Sequence, residues 1–173
     1  MKSGFTLLET LIVVSITAFL SAMVLGYTQN SNQKLSLYVD RANVVGVIQK
    51  AKNLAMEKYK STSADGSTIC AFGVHFENNS STYFIYNITQ ASGQCNTISN
   101  ANCYRYNNCG GLNYLSEQKF ALNQANIFTS SSDIYFVPPY FTTSSNATIL
   151  IASKNISSNS VKIVVNGLDI SAN

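Results

Sequence analysis

The chain has 173 residues, the size of one ordinary domain and too short for two. Charged residues make up only 11% of it, against roughly 25% in an average soluble domain, and Asn, Ser and Thr together fill about a third of the chain instead. Apolar residues at 46% exclude wholesale disorder, and a net charge of +3 is too small by itself to indicate a nucleic-acid-binding protein. One His and eight carboxylates leave few groups for catalysis, so we predict no enzyme activity and no cofactor.

The first element is an apolar stretch, Phe5–Tyr27, in which Glu9 is the only formal charge. As an α-helix it spans about 34 Å, slightly more than the hydrocarbon core of a bilayer. We therefore predict a transmembrane helix over residues 5–27. A cleaved secretory signal peptide is the alternative, with the small residues Ser21, Ala22 and Gly26 near its end. The carboxylate inside the stretch and the very short segment before it argue against that alternative.

Placing the charged Glu9 side chain inside a transmembrane helix costs free energy. Insertion scales assign about 2.5–3.5 kcal/mol to Asp, Lys or Arg at a helix centre, whereas each large aliphatic residue returns only about 0.3–0.6 kcal/mol. One interpretation places Glu9 near the membrane interface, where its side chain reaches water. The other pairs it with a positive charge from another chain. Cleavage after Gly4 would create a free ammonium on Phe5, and a neighbouring copy shifted by about one helical turn would bring that ammonium to Glu9.

The stretch Lys2–Glu9 resembles the processing site of the type IV pilin and pseudopilin family, in which a short basic leader ends in Gly and is followed by Phe, with Glu at the fifth mature position. The resemblance implies that residues 1–4 are a leader, which a prepilin peptidase removes between Gly4 and Phe5. It also implies N-methylation of Phe5 and a role for Glu9 in filament assembly. The implied partners are other pilin or pseudopilin subunits, an inner-membrane assembly platform and, before assembly, membrane lipid.

The position of Lys2 agrees with the positive-inside rule and predicts a single-pass protein of the cytoplasmic membrane with its N terminus in the cytoplasm. After assembly the protein would lie in an extracytoplasmic or cell-surface filament. A single-span anchored domain that never polymerises is an alternative, in which Gly4 would stay attached to Phe5.

The helix is predicted to continue as an amphipathic half over residues 28–60, because no proline interrupts residues 5–60. Its apolar residues recur at intervals of three and four: Leu37, Val44, Val47, Ile48, Ala51, Leu54, Ala55 and Tyr59. The polar segment Ser61–Ser67 then predicts a loop.

After residue 67 the apolar period changes to 2, which predicts an exterior β-rich domain over residues 61–173. A first hairpin is expected from Ile69–Phe76 and Tyr83–Ile88, and Asn166-Gly167 before Leu168–Ile170 predicts a closing hairpin. Further candidate strands cover residues 119–122, 126–128, 134–137, 148–152 and 161–165, and Pro138-Pro139 should end the third of these. The predicted fold class is α+β and pilin-like, with one long N-terminal α-helix (about residues 5–60) packed against a C-terminal antiparallel β-sheet domain.

This β-rich part also resembles the H-type minor pseudopilins of type II secretion. The resemblance rests on Phe72–Phe76, on Ile134–Pro139 and on the closing segment Val161–Ile170 with Gly167. A cysteine-containing insertion at residues 89–117 departs from it.

Four cysteines, Cys70, Cys95, Cys103 and Cys109, follow the predicted membrane span. An even number on the exterior side favours two disulfides, with three connectivities open. Zinc is the alternative, although the spacing lacks the short Cys pair of structural zinc sites. Free thiols are the third choice. We predict no metal site.

The remaining candidates are aromatic and basic side chains. His75 has no Asp or Ser at motif spacing, which favours a structural or exposed His over a catalytic base. Tyr104, Tyr106 and Tyr114 are expected to pack the cysteine loop.

The sequence as a whole predicts a non-enzymatic structural subunit of a type IV pilus-like or type II secretion filament. The alternative is a minor tip subunit that binds DNA or another surface, with Arg105, Lys154 and Lys162 as nucleic-acid contacts.

Overall fold

The computed structural model describes residues 6–63, 65–91, 95, 98, 100–138, 142–143, 147–154, 159–166 and 169–172. The chain divides into two compact units, residues 1–36 and residues 37–173. One helix, α1, covers Leu7–Lys58. It is followed by antiparallel β-sheets, so the α+β pilin-like layout predicted above is confirmed.

The part of α1 that belongs to the first unit is apolar and exposed. Every described side chain from Leu7 to Tyr27 is exposed. The helix contains a stretch with a mean hydropathy of 2.1, which is long and apolar enough to cross a membrane.

The part of α1 in the second unit buries one face, as its periodicity predicts. The buried side chains of this face are Leu37, Val44, Val47, Ile48, Ala51 and Ala55. The helix ends at Lys58, and the next residues are tied to the first strand because the Lys60 N–H donates to the Ile69 carbonyl at 2.9 Å.

Nine strands lie within the described residues: β1 Thr68–Phe76, β2 Thr82–Gln90, β3 Asn113–Ala121, β4 Asn126–Phe128, β5 Ser132–Val137, β6 Thr142–Thr143, β7 Ala147–Ser153, β8 Ser160–Asn166 and β9 Asp169–Ala172. A 3-10 turn at Ala101–Tyr104 lies between β2 and β3. The strands form two antiparallel sheets. Sheet A has the order β3-β2-β1-β5-β6, and sheet B has the order β4-β7-β8-β9.

One cluster of buried apolar side chains joins the second half of α1 to both sheets. Phe76 and Tyr83 stack at 5.7 Å between ring centroids, and Phe128 of sheet B meets both rings edge-on. The alternating residues on the opposite face of sheet A form a second, smaller cluster around Tyr86 and Ile88.

The strands depart from the predicted ones in three respects. First, β3 begins at Asn113 rather than at Lys119, because Asn113 to Ser116 pair with the last residues of β2. The connection between β2 and β3 is therefore residues 91–112, shorter than the insertion predicted at 89–117. Second, the short β6 on the edge of sheet A was not predicted.

The third departure concerns the closing hairpin. Its existence is confirmed, but Asn166 pairs with Asp169 and is the last residue of β8. Gly167 and Leu168 lie outside the described part of the chain.

Candidate functional site

Glu9 lies in the first turn of α1. Thr6 precedes the helix, and its hydroxyl oxygen accepts the Glu9 N–H at 3.3 Å while its carbonyl accepts the N–H groups of Glu9 and Thr10. This is the Thr-x-x-Glu order of a helix N-terminal cap, and a carboxylate is favoured at this end of the helix dipole. The cap fixes the backbone of Glu9 at the beginning of the apolar helix.

The hydroxyl groups that follow Glu9 are satisfied within the helix. Thr10, Ser15, Thr17 and Ser21 each donate to a carbonyl three or four residues earlier, at 2.7–3.0 Å. In residues 6–27, which the structure describes throughout, no side chain donates a hydrogen bond to the Glu9 carboxylate. A carboxylate without such a donor is costly in lipid unless it reaches the interface or acquires a partner.

The four cysteines form two disulfides. Cys70 of β1 bonds to Cys95, and Cys103 bonds to Cys109 within the connection between β2 and β3. The first disulfide is buried, whereas both cysteines of the second are partly exposed. This pairing selects one of the three connectivities that the sequence left open.

Tyrosines fix the Cys103–Cys109 loop to sheet A, as predicted. The Tyr86 hydroxyl donates to the Tyr104 carbonyl at 2.7 Å, and the Tyr114 hydroxyl donates to the Cys103 carbonyl at 2.8 Å. Tyr106 packs edge-on against Tyr86, with 5.3 Å between ring centroids. Burial raises the pKa of Tyr86 well above its usual value and also raises those of Tyr104 and Tyr114.

Tyr83, on the other face of β2, gives the fold a dependence on alkaline pH. Burial, together with the smaller effect of the nearby Asp40 carboxylate, raises the pKa of its hydroxyl to about 12. The folded state therefore holds this proton more tightly than the unfolded state does. The resulting stabilisation is complete below pH 10 and is lost as the pH rises towards 12.

We expect the free energy of unfolding of the full chain in micelles to fall between pH 10 and pH 12, with Tyr83 contributing about 1–2 kcal/mol of the loss. Tyr83→Phe should remove that contribution and flatten the slope, because Phe has no proton to lose. Tyr38→Phe is the control, since Tyr38 is exposed. Urea unfolding at several pH values measures both slopes, and equal slopes in wild type and Tyr83→Phe would contradict the assignment.

The three cations predicted as nucleic-acid contacts lie on different parts of the β-rich unit. Arg105 follows the 3-10 turn in the loop that packs on sheet A. Lys162 lies in β8 of sheet B, and Lys154 directly follows β7, where its N–H donates to the Ala125 carbonyl. The structure therefore places one cation beside sheet A and two on sheet B.

His75 has a partner that local spacing did not reveal. Its Nδ1 lies 2.6 Å from the Asp133 Oδ1, because His75 of β1 and Asp133 of β5 are opposite each other in the ladder. Phe84 and Tyr106 flank the imidazole at 5.1 and 5.0 Å between ring centroids. No group of three or more His, Cys, Asp or Glu that could hold a metal ion occurs among the residues described.

The N-terminal part of the chain is similar to a known family. Residues 1–25 match the family model of the prokaryotic N-terminal methylation motif. The match supports a type IV pilin-like or pseudopilin-like protein, which is a structural class rather than an enzymatic one. Neither a curated protein nor a solved structure matches the chain.

The motif and the apolar helix together indicate membrane anchoring through one helix. The motif also implies processing by a prepilin peptidase and assembly with other pilin subunits. The predicted cleavage and methylation residues, Gly4 and Phe5, lie outside the described residues. Glu9 is thus the one N-terminal site residue whose surroundings the structure gives.

Proposed function

We propose that this chain is a structural subunit, a pilin or pseudopilin, of a type IV pilus-like or type II secretion filament. Cleavage between Gly4 and Phe5 on the cytoplasmic side and methylation of the new amine prepare it for assembly. The Glu9 carboxylate then pairs with the N-terminal ammonium of a neighbouring subunit. The observation that carries the proposal is Glu9 itself, an exposed carboxylate at the start of an apolar helix that matches the N-terminal methylation motif.

The physical basis of the proposal is the cost of that charge. In lipid the carboxylate is costly unless it reaches the interface or acquires a partner, and in a bundle of apolar helices a pairing partner becomes necessary. A mature N terminus at Phe5 is separated from Glu9 along the chain by about one helical turn. A neighbour displaced axially by the same amount would bring its ammonium to this carboxylate. The pairing would therefore set the axial register of subunits that otherwise associate through non-directional apolar packing.

Glu9→Gln tests this pairing. A hydrogen bond to a charged group contributes about 1.5–3 kcal/mol, so its loss should reduce incorporation of the subunit into filaments about tenfold or more. The fraction of subunit in sheared filaments, normalised to the amount in the membrane, measures the effect. Glu57→Gln is a matched control, because Glu57 is an exposed carboxylate on the same helix but outside the apolar stretch.

Unchanged incorporation of Glu9→Gln would contradict the role of Glu9. Mass spectrometry of the mature chain in the same samples tests the processing step separately. We expect a first residue at Phe5 carrying one added methyl group in both variants. A mature chain that retains Met1 or Lys2 would contradict the proposed cleavage.

The type of filament is a finer part of the proposal. Two of the segments that resemble H-type minor pseudopilins, in β1 and β5, are adjacent in sheet A, with Phe72 opposite Phe136 and Val74 opposite Ile134. This pairing supports a related arrangement of strands. The alternative function, a tip module that binds DNA, has weaker support because Arg105 lies beside sheet A whereas Lys154 and Lys162 lie on sheet B.

A further inference from the structure

A pocket of about 330 Å³ lies beside the Cys103–Cys109 disulfide and is lined in part by described residues of the connection between β2 and β3. Its described lining has three kinds of surface. Gln90 and Asn100 supply side-chain amides, Ile98 and Leu112 supply an apolar wall, and Gly110-Gly111 supply backbone with no side chain. None of the described lining residues carries a formal charge.

Hydrogen bonds hold the part of the pocket wall that residues 100–114 form. The Tyr114 hydroxyl donates to the Cys103 carbonyl and accepts the Cys109 N–H at 3.2 Å, so one side chain fastens both ends of the disulfide loop. Within the loop, the Asn108 amide donates to the Asn102 carbonyl at 3.0 Å. The Asn100 side chain caps the 3-10 turn by accepting the Asn102 N–H. A pocket held in this way loses little conformational entropy on binding.

The chemical groups of the lining residues favour one class of ligand. Amides donate and accept hydrogen bonds, as hydroxyl groups do, and the apolar wall suits a face of C–H groups. A phosphate or carboxylate would find no counter-charge in the described lining. The whole segment 90–114 carries one charged residue, Arg105, and is rich in Asn, Tyr and Gly, which is the composition of antibody binding loops.

We propose that this pocket is a binding site for a neutral saccharide. A compact sugar ring fits its volume, offers its hydroxyl oxygens to the side-chain amide N–H groups of Gln90 and Asn100, and places its C–H face against Ile98 and Leu112. The proposal concerns the β-rich unit and does not depend on filament assembly. Its test therefore fails or succeeds independently of the Glu9 experiments.

Saturation-transfer difference NMR on the full chain tests the proposal. The protein is kept in an alkyl phosphocholine or amine oxide detergent, because glycoside detergents would compete for the site. The probes are galactose, mannose, N-acetylglucosamine and N-acetylgalactosamine, with glucuronate as a charged comparison. We expect saturation transfer to at least one neutral sugar with a dissociation constant on the order of 1 mM, because a monosaccharide offers only about twelve heavy atoms.

Gly110→Leu is the blocking variant. A Cβ at Gly110 meets no atom within 4 Å, so the larger side chain can be accommodated and would occupy space in the pocket. We expect at least a tenfold weaker affinity for the sugar. Arg105→Ala is the matched control, since it changes the same loop outside the described lining, and it should leave the affinity unchanged. Far-UV circular dichroism and a count of free thiols verify that both variants keep the fold and the disulfides.

Two results would overturn the proposal. One is the absence of saturation transfer to every neutral sugar at 50-fold the expected dissociation constant, on the order of 50 mM. The other is binding that persists in a folded Gly110→Leu protein, which would place the ligand elsewhere. The first result includes transfer to glucuronate alone, which would exclude a neutral saccharide as the ligand.

Discussion

Gly73→Ala is expected to lower the free energy of unfolding of the β-rich unit by about 3 kcal/mol, at the upper end of the usual cost of overpacking a core. Gly73 lies in the interior of β1, directly opposite Tyr86 of β2. A Cβ at Gly73 would overlap the Tyr86 ring, reaching Cε1 at 2.7 Å and the ring's Cζ and hydroxyl more closely still. The glycine is required at this position because the aromatic ring lies on its backbone.

The Tyr86 ring has little freedom to move away from a methyl group at Gly73. Tyr86 is fully buried, and its hydroxyl donates to the Tyr104 carbonyl. Tyr106 and Tyr114 pack against the ring from the loop and from β3. A shift of Tyr86 would therefore also disturb the attachment of the Cys103–Cys109 loop.

Urea unfolding of the full chain in micelles, followed by far-UV circular dichroism, measures this effect. Gly46→Ala is the matched control because its Cβ would meet no atom within 4 Å and Gly46 is an exposed residue of α1. That substitution should stabilise the protein by up to about 1 kcal/mol, since Ala has the higher helix propensity. A Gly73→Ala protein as stable as the wild type would show that the Tyr86 ring can be displaced at little cost.

Local periodicity was sufficient to predict the elements whose contacts are near in sequence. The apolar face of α1 and the β1–β2 hairpin follow from spacings of three to four residues and of two residues. The sequence also marks Gly73 as unusual, because glycine inside a strand indicates a close approach of other atoms. Which atoms approach depends on the register of β2 against β1, and no local pattern determines that register.

Most of the structural features that the sequence did not predict depend on strand pairing between residues that are far apart in the chain. The residues Asn113 to Ser116 are polar on average and read as loop, yet they form strand because β2 offers them a free edge. His75 and Asp133 are 58 residues apart and meet only through the pairing of β1 with β5. At the N terminus, by contrast, the sequence alone suffices to propose Glu9 as a site residue, because both the apolar stretch and the charge within it are local features.

Asp40, a buried carboxylate on α1, is another residue whose long-range contacts the sequence does not predict. Asp40 is 5% exposed, and its Oδ2 accepts the Asn123 N–H at 3.0 Å and the Asn126 side-chain amide at 2.7 Å. Its Oδ1 lies 3.2 Å from the same Asn123 nitrogen. The sequence presents Asp40 as an acidic residue among the lysines of an amphipathic helix. In the fold it attaches that helix to the connection between β3 and β4.

Asp40→Ala is expected to lower the free energy of unfolding by about 3–4 kcal/mol, because hydrogen bonds to a charged acceptor contribute about 1.5–3 kcal/mol each and the buried Asn126 amide would lose its hydrogen bond to Asp40. Asp40→Asn should cost less, about 2 kcal/mol, since the amide oxygen can still accept one of the two hydrogen bonds. Asp169→Ala is the control, because Asp169 is exposed and its loss should change the stability by less than about 0.5 kcal/mol. Urea unfolding at pH 7 compares the three variants.

The pKa of Tyr83 provides a second measurement, which distinguishes the effect of the negative charge of Asp40 from the effect of its packing. Burial is the main reason for the raised pKa of Tyr83, and the Asp40 carboxylate is the second. Both Asp40→Ala and Asp40→Asn remove that charge, so both should lower the pKa of Tyr83 in an alkaline absorbance titration, whereas only Asp40→Ala removes the side-chain oxygen that accepts from Asn126. Equal stabilities of the two variants would show that the negative charge, rather than the hydrogen-bond acceptor, holds the β3–β4 connection to the helix.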